Sequence, residues 1–293
     1  MCRWMAWLGQ SVQIDELLFK TKHGIVDQSL HARMGAEPTN GDGFGLGWYG
    51  AREVPGLYHS VSPAWSDTNL RELAAQIQSR LFVAHVRAAI GSPVQQTNCH
   101  PFRHGRWLFM HNGYLGGFHA VRRELMFAID PEQFAELRGS TDTEVVFRLA
   151  LTFGLMDDPV RALELTLGLI EAAARPHGIA DAVQGTFCVT DGSSLWAVRY
   201  ASGGHRPRTL FASTDVEAIH RLYPEDARLG MLCDDDRLIV SEPVSDLPGL
   251  WQEIPPSTAA HVEHGGILEE RPFRPQAPVT VTAFQGLPTG ARG

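Results

Sequence analysis

A cysteine directly behind the initiator methionine places two reactive groups on one residue. Removal of Met1 would leave Cys2 with a free α-amine next to its thiol. The amine has a pKa of about 8 and the thiol one of about 8.5, so the amine can accept the thiol proton near neutral pH. The sequence therefore predicts an N-terminal nucleophile at Cys2, although a cysteine at this position is by itself usually incidental.

A second candidate is the tripeptide His111-Asn112-Gly113, which follows the apolar stretch WLFM. The side-chain amide of Asn112 and the backbone N–H of Gly113 could converge on one point and form an oxyanion hole. Such a donor stabilises a tetrahedral oxyanion by about 3–4 kcal/mol. The alternative is an Asn-Gly turn without a chemical role.

Two charged residues stand at the ends of apolar or helical patterns. Arg87 ends the run LFVAHV, where the strand should be buried, and Asp142 lies in GSTDTE near a helix start. Arg87 could form a structural ion pair or bind a substrate carboxylate through its bidentate fork. Asp142 could complement the helix dipole or bind an ammonium group.

Together these residues match one type of substrate, the γ-glutamyl amide. Its α-carboxylate would meet Arg87, its α-ammonium would meet Asp142, and its amide carbonyl would meet Cys2 with Asn112 and Gly113. We expect the thiol to attack the γ-carbonyl and form a γ-glutamyl thioester, which water then hydrolyses. No metal or organic cofactor is needed for this reaction.

The elements that must position these residues follow from the hydrophobic periodicity. Strands are predicted at CRWMAWLG, NGDGFGLGWYG, RLFVAHVRAA and WLFMHNG, and helices at 115–127, 141–153 and 158–174. In NGDGFGLGWYG bulky residues alternate with glycines, so one face of that strand is bare and must be approached closely. Further strands follow at GTFCVT, LWAVRY, RTLFAS and DRLIVSEP. This order indicates sheets covered by helices.

The bulk properties limit the other possibilities. The 293 residues contain no repeat or internal linker, so we expect a single domain over 1–275 and a flexible tail over 276–293. The net charge of −8 is spread along the chain, which argues against nucleic acid as a partner. No apolar stretch is long enough for a membrane span, and the four cysteines form no CxxC pair. These features predict a cytoplasmic protein.

Other patterns in the chain have simpler explanations. Residues 45–50 match GxGxxG, but no βαβ unit surrounds them, so a glycine-faced strand is the better interpretation. The histidines 100, 104, 111 and 119 have no zinc-ligand spacing and are interpreted as structural. The cysteines 99, 188 and 233 are interpreted as small buried or half-buried residues.

The motifs MCRWMAWLG, NGDGFGLGWY, AHVRAAIGS, NCHPF, HNG and STDTE occur in the order typical of class II glutamine amidotransferase domains, which the chain resembles over nearly its whole length. SEP at 241–243 is also similar. The resemblance implies an α+β, four-layer αββα Ntn-hydrolase sandwich, in which two antiparallel sheets lie between helical layers. It implies the roles given above for Cys2, Arg87, Asn112, Gly113 and Asp142. It also implies that a further set holds the site together: His85, Asn98, His100 and Pro101.

Within that family the chain looks most like the stand-alone subunit of the fungal glutathione-degrading complex and like the EgtC- and YafJ-like proteins. Ala88 and Ser92 replace the Trp and His common in relatives that feed ammonia to a fused synthase. The resemblance thus favours hydrolysis of a γ-glutamyl compound, glutathione-like or a biosynthetic conjugate, or of glutamine. The alternatives are a glutaminase that supplies a separate synthetase and a non-catalytic scaffold. A peptidase-like or synthetase partner is implied by resemblance only, and the leaving group is left open.

Overall fold

The computed structural model describes residues 2–35, 38–89 and 91–279, and their strands form two antiparallel sheets. The strands are β1 Arg3–Gln13, β2 Phe44–Trp48, β3 Gly56–Ser60, β4 Gln78–Val86, β5 Phe102–His104, β6 Trp107–Leu115, β7 Val183–Thr190, β8 Leu195–Ala201, β9 Phe211–Ser213, β10 Arg237–Val240, β11 Trp251–Glu253, β12 Thr258–Val262 and β13 Leu268–Pro272. One sheet has the order β11-β9-β10-β1-β4-β2-β3 and the other β13-β12-β8-β7-β6-β5.

Eight α-helices accompany the sheets in the described part of the chain. They are α1 Ile14–Leu18, α2 Ile25–His31, α3 Thr68–Gln76, α4 Phe118–Phe127, α5 Pro131–Ala135, α6 Asp142–Thr152, α7 Pro159–Ala174 and α8 Val216–Leu222. Thr141 caps α6 and Asp158 caps α7 through their side-chain oxygens, as their positions before a helical pattern predict.

Alternation along β1 separates the layers, because successive side chains of a strand point to opposite faces. Trp4, Ala6 and Leu8 are buried in a cluster between the two sheets, where β6 contributes Leu108 and Met110. On the other face of the same sheet, a second cluster combines strand residues with residues of α1, α2 and α3: Met5, Trp7, Phe82, Ile14, Leu18, Ile25 and Leu70.

The outer face of the second sheet is covered by α4, α6 and α7. Phe109 of β6 stacks on Phe147 of α6, with ring centroids 5.1 Å apart, and the helices add a large apolar cluster. One cluster lies between the first helical layer and the first sheet, one between the two sheets, and one between the second sheet and the second helical layer. The predicted αββα sandwich is therefore confirmed.

Several local predictions need correction or refinement. The first strand is longer than the predicted CRWMAWLG, because β1 continues through Gln13, and the helix α1 that follows it has only five residues. The bare face of β2 is closely approached, as predicted: at Gly45 a Cβ would overlap the His100 carbonyl, and at Gly47 it would lie 2.7 Å from Leu108 Cδ1. Residues 45–50 thus lie mainly in a paired strand, with β3 on one side and β4 on the other.

At the C-terminal end, the Gln276 backbone N–H donates to the Glu164 carbonyl of α7 at 3.1 Å. Most of the predicted tail, 280–293, lies outside the described residues. Within the described part of the chain, no helix combines the length and apolar character needed to cross a membrane.

Candidate active site

The five residues singled out by the sequence line one cavity at the end of the two sheets. Cys2 directly precedes β1, and Arg87 directly follows β4, its neighbour in the first sheet. Asn112 and Gly113 lie in β6 of the second sheet, and Asp142 is the first residue of α6. The cavity is lined by Cys2, Arg87, Ala88, Ser92, His100, His111, Asn112, Gly113, Tyr114, Thr141, Asp142, Thr143 and Arg208.

The Cys2 thiol is half-buried and lies 3.7 Å from the Ala88 carbonyl oxygen. Desolvation raises the pKa of this thiol, although the Ala88 carbonyl and the charge of Arg87 act in the opposite direction. A thiol with a raised pKa is mostly protonated near neutral pH and needs a base before it can attack. Cys99, Cys188 and Cys233 carry free thiols as well, but none of them lines this cavity.

The Arg87 side chain is buried, with 3% of its surface exposed. Its guanidinium donates to the Ser92 hydroxyl at 2.7 Å, the Pro93 carbonyl at 3.2 Å and the Asp42 carbonyl at 3.4 Å. All three acceptors are neutral, and no carboxylate of the described residues lies within ion-pair distance. A buried cation on a cavity wall without a counter-charge is suited to bind an anion.

Asn112 and Gly113 lie inside β6 rather than at its end, and both pair with β7. The Asn112 side-chain oxygen is buried and meets no hydrogen-bond donor among the described residues. β7 approaches Gly113 so closely that a Cβ there would lie 2.6 Å from the Gly185 Cα. The alternative of an Asn-Gly turn is therefore excluded, and any larger residue at position 113 would push the strands apart.

Asp142 begins α6, where a carboxylate is favoured by the helix dipole. One carboxylate oxygen accepts the Leu115 backbone N–H at 2.9 Å and the other accepts the Thr143 backbone N–H at 2.7 Å. The Thr143 hydroxyl in turn lies 3.0 Å from His111 Nδ1. Asp142 is thereby fixed in the cavity wall by main-chain donors of β6 and α6, and no described cation pairs with it.

Three buried histidines belong to the surroundings of the cavity, and two of them, His100 and His111, line it. The rings of His85 and His100 are 4.1 Å apart, and His111 stacks on Phe187 at 4.5 Å. Desolvation lowers the pKa of His85 to about 3 and that of His111 to about 4, and it holds the pKa of His100 well below its ordinary value. These histidines are neutral at physiological pH.

The 91–101 segment is held against the site by Asn98. Its side-chain amide donates to the Pro93 carbonyl at 3.0 Å, and its oxygen accepts the Ser140 backbone N–H at 2.9 Å. Because Arg87 donates to the same Pro93 carbonyl, Asn98 supports the surroundings of the Arg87 guanidinium.

Sequence reasoning missed several residues of the cavity. In the sequence Ser92 is only a departure from the family pattern, but its hydroxyl accepts the shortest hydrogen bond of the Arg87 guanidinium. Tyr114 and Arg208 stand at the edge, with the Arg208 guanidinium 5.9 Å from the centre of the Tyr114 ring. Tyr114 adjoins the HNG motif, which could have drawn attention to it, whereas no local pattern marks Arg208.

Comparison with known proteins provides independent evidence. Residues 19–268 match the family model described as class-II glutamine amidotransferases. The match begins after Cys2. The chain is 29% identical over 297 residues to the probable glutamine amidotransferase DUG3 of Saccharomyces cerevisiae. This alignment covers 92% of this chain and 83% of the relative. It is 28% identical to the gamma-glutamyl-hercynylcysteine sulfoxide hydrolase of Mycolicibacterium smegmatis, over 87% of this chain and 92% of the relative.

Solved structures give the same grouping. A glutamine aminotransferase class-II domain protein from Silicibacter pomeroyi has 32% sequence identity and a TM-score of 0.71, and the alignment covers 94% of this chain and 99% of that one. Glutamine phosphoribosylpyrophosphate amidotransferase of B. subtilis aligns with a TM-score of 0.60 over 93% of this chain and 49% of its own. At 15% identity, this second likeness concerns the fold alone.

Proposed function

Because the chain belongs to the class-II glutamine amidotransferases, we propose that it hydrolyses the γ-glutamyl amide bond of a γ-glutamyl compound. The observation that carries this proposal is the placement of Arg87 and Asp142 in the same cavity wall as Cys2. Each of the two holds a buried or partly buried charge that no opposite charge of the described residues neutralises. A γ-glutamyl group supplies the α-carboxylate and the α-ammonium that they lack.

The proposed reaction begins when Met1 has been removed and the Cys2 nitrogen is a free amine. The amine takes the thiol proton, directly or through a water, while sulfur attacks the γ-carbonyl carbon. Asn112 and the Gly113 N–H stabilise the oxyanion, and the leaving amine departs with the proton. Water, activated by the same α-amine, then hydrolyses the Cys2 thioester and releases glutamate.

The edge of the cavity favours a leaving group larger than ammonia. Arg87 is buried, so the glutamyl end must enter first and the leaving group then lies toward the open side. Tyr114 is 36% exposed there and Arg208 is partly exposed beside it. An aromatic ring and a cation suit an amine that carries a carboxylate, such as a peptide, and ammonia needs neither. This edge is the feature that favours γ-glutamyl peptide hydrolysis over the glutaminase alternative.

A substrate panel tests the proposal. We expect wild-type protein to turn over glutathione and γ-glutamylglycine faster than glutamine, and Cys2→Ala to lose all of these activities. Turnover of glutamine alone, rising when a synthetase is added, would support the glutaminase alternative instead. Equal activity of wild type and Cys2→Ala would reject Cys2 as the nucleophile, and inactivity of both toward every γ-glutamyl amide would favour the scaffold alternative.

Arg208→Gln tests the proposed leaving-group side. We expect kcat/KM for γ-glutamylglycine to fall about tenfold, because one charge-assisted hydrogen bond is lost, while kcat/KM for γ-glutamyl methylamide stays unchanged. Arg206→Gln is the matched control, since Arg206 is exposed, two residues away, and does not line the cavity. Equal losses on both substrates would show that Arg208 does not bind a leaving-group carboxylate.

We further propose that the protein acts in the cytoplasm, a reducing compartment that suits its free thiols. The identity of any protein partner, peptidase-like or synthetase, stays a prediction that co-purification from the native cell can test.

A further inference from the structure

The Ser241-Glu242-Pro243 segment follows β10 and contacts the two residues behind Cys2. The Ser241 backbone N–H donates to the Trp4 carbonyl at 3.0 Å, and the Trp4 N–H donates to the Ser241 hydroxyl at 3.1 Å. Next to this pair, Glu242 Oε2 accepts a hydrogen bond from Arg3 Nε at 2.8 Å. The segment therefore binds both the main chain and the side chains of the strand that begins at Cys2.

Arg3 extends this contact to Cys2 itself. Its Nη1 donates to the Cys2 carbonyl oxygen at 3.0 Å. Once Met1 is removed, Cys2 is attached to the protein only through that carbonyl carbon. A donor on the carbonyl oxygen therefore restricts rotation at the residue that bears both the thiol and the proposed base.

Glu242 is in turn held by three further groups, all from the 23–34 segment. Its Oε1 lies 2.6 Å from His23 Nε2, and the backbone N–H groups of Arg33 and Met34 each donate to its carboxylate at 2.9 Å. The other ring nitrogen of His23 lies 2.6 Å from Asp27. Burial opposes ionisation, yet the hydrogen bonds from His23, Arg33 and Arg3 lower the pKa of Glu242 below its ordinary value.

This network is costly for a purely structural element. Arg3 and Glu242 have only 3% and 2% of their side chains exposed. Removing two charges from water costs several kcal/mol per ion, and apolar residues of similar volume are often at least as stabilising. The Arg3 contact to the Cys2 carbonyl gives the pair a use that an apolar replacement could not supply.

We propose that Arg3 and Glu242 are positioning residues for Cys2, with His23 fixing the carboxylate. The network holds the thiol and the α-amine in the geometry for attack, and it sets the local charge next to them. This inference rests on the proposed role of Cys2 as the nucleophile. Two charged groups that line the substrate cavity, Arg87 and Asp142, act on the pKa of the Cys2 thiol.

The test compares Glu242→Gln with Glu253→Gln in the full-length, Met1-free protein. Glu253 is the control because it also pairs with a buried arginine, Arg199 at 2.8 Å, and does not line the cavity, while its own side chain is 43% exposed. We expect Glu242→Gln to lower kcat for a γ-glutamyl amide about 10- to 100-fold, with KM changed less than about threefold, because the nucleophile is misplaced and substrate contacts remain. Glu253→Gln should keep the wild-type kcat.

A second measurement needs no substrate, so it separates this inference from the proposed function. The pH dependence of Cys2 alkylation by iodoacetamide reports the ionisation of the thiol and its amine. Loss of the negative charge in Glu242→Gln should lower the midpoint by about half a pH unit, and loss of the positive charge in Arg3→Gln should raise it by a similar amount. Partial unfolding would instead move both variants toward the same unfolded value.

The outcomes are distinct. Lower kcat together with opposite midpoint shifts supports the positioning role. Wild-type kcat and an unchanged midpoint in Glu242→Gln would overturn it. If the wild type hydrolyses no γ-glutamyl amide, the proposed function fails, and the alkylation midpoints still decide whether Arg3 and Glu242 act on Cys2.

Discussion

Arg3 and Arg87 are both buried and both approach Cys2, but their guanidinium groups have opposite surroundings. Arg3 meets the carboxylate of Glu242 at 2.8 Å, whereas Arg87 meets a hydroxyl and two carbonyl oxygens. The charge of Arg3 is neutralised within the protein. The Arg87 guanidinium lies on the wall of an open cavity, and its charge is neutralised only when an anion binds there.

The comparison indicates how one cation can position a residue while the other binds a ligand. Burial alone does not separate the two roles, because the exposed fractions are 2% for Arg3 and 3% for Arg87. Neutral partners alone do not mark a ligand site either: Arg237 is also buried, donates to the carbonyls of Ser213 and Gly266, and does not line the cavity. The combination of neutral partners and an open cavity is what distinguishes Arg87.

The largest expected difference is in activity. Arg87→Met should lower kcat/KM for γ-glutamyl amides by about 100- to 1000-fold, because the α-carboxylate loses one or two charge-assisted hydrogen bonds of about 1.5–3 kcal/mol each. Steady-state kinetics on a single γ-glutamyl amide measure this loss. Arg237→Met is the control and should retain the wild-type kcat/KM in the folded fraction. A loss below tenfold in Arg87→Met would contradict the assignment.

In contrast to activity, the free energy of unfolding should fall more when Arg3 is replaced than when Arg87 is replaced. Arg3→Met leaves the Glu242 carboxylate buried without its cation and should lower the free energy of unfolding by about 3 kcal/mol. Arg87→Met removes a cation that has no counter-charge, so the free energy of unfolding should change by less than about 1 kcal/mol. Urea unfolding of both variants at pH 7.5 makes the comparison. Equal destabilisation would mean that Arg87 is as structural as Arg3.

A smaller effect concerns acid stability, since the charge of Arg87 adds to desolvation in lowering the pKa of His85 to about 3. The unfolded chain protonates a histidine below about pH 6.5, but folded His85 stays neutral. The contribution of neutral His85 to the free energy of unfolding is therefore fully present above about pH 6.5. As the pH falls below that value, the free energy of unfolding decreases by about 1.4 kcal/mol per pH unit for each such histidine. Urea unfolding between pH 7.5 and 5 should show a shallower loss in His85→Leu.

His31→Asn serves as the control for this pH dependence, because His31 is 68% exposed. It should keep the wild-type slope. Arg87→Met should also flatten the slope slightly by raising the pKa of His85. A wild-type slope in all three variants would show that buried His85 is not responsible for the acid sensitivity.

The sequence predicts the long elements of the fold but not the short edge strands. Periodicity identified β6 and the helices α6 and α7 almost to their ends, because long apolar patterns and side-chain caps act locally. Short edge strands such as β5 and β11 have three residues each and form only because a neighbouring strand is present. No window of sequence contains that information.

In the site, likewise, the sequence predicts single residues but not the contacts between residues that are far apart in the chain. Cys2, Arg87, Asn112, Gly113 and Asp142 were selected for their chemistry next to apolar patterns, and the fold brings them to one cavity. The contact between Arg3 and Glu242 joins residues 239 positions apart. Such pairs depend on the antiparallel pairing of β1 with β10, which a single sequence does not reveal.

The central claim, that Cys2 of the Met1-free chain carries a γ-glutamyl thioester, can be tested by mass spectrometry of acid-quenched turnover mixtures. Rapid mixing with a γ-glutamyl amide, followed by peptide mapping at low pH, locates the acyl group. We expect a glutamyl adduct on an N-terminal peptide that begins at Cys2 and no adduct in Cys2→Ala. An adduct on Cys99, Cys188 or Cys233, or full turnover by protein that retains Met1, would contradict it.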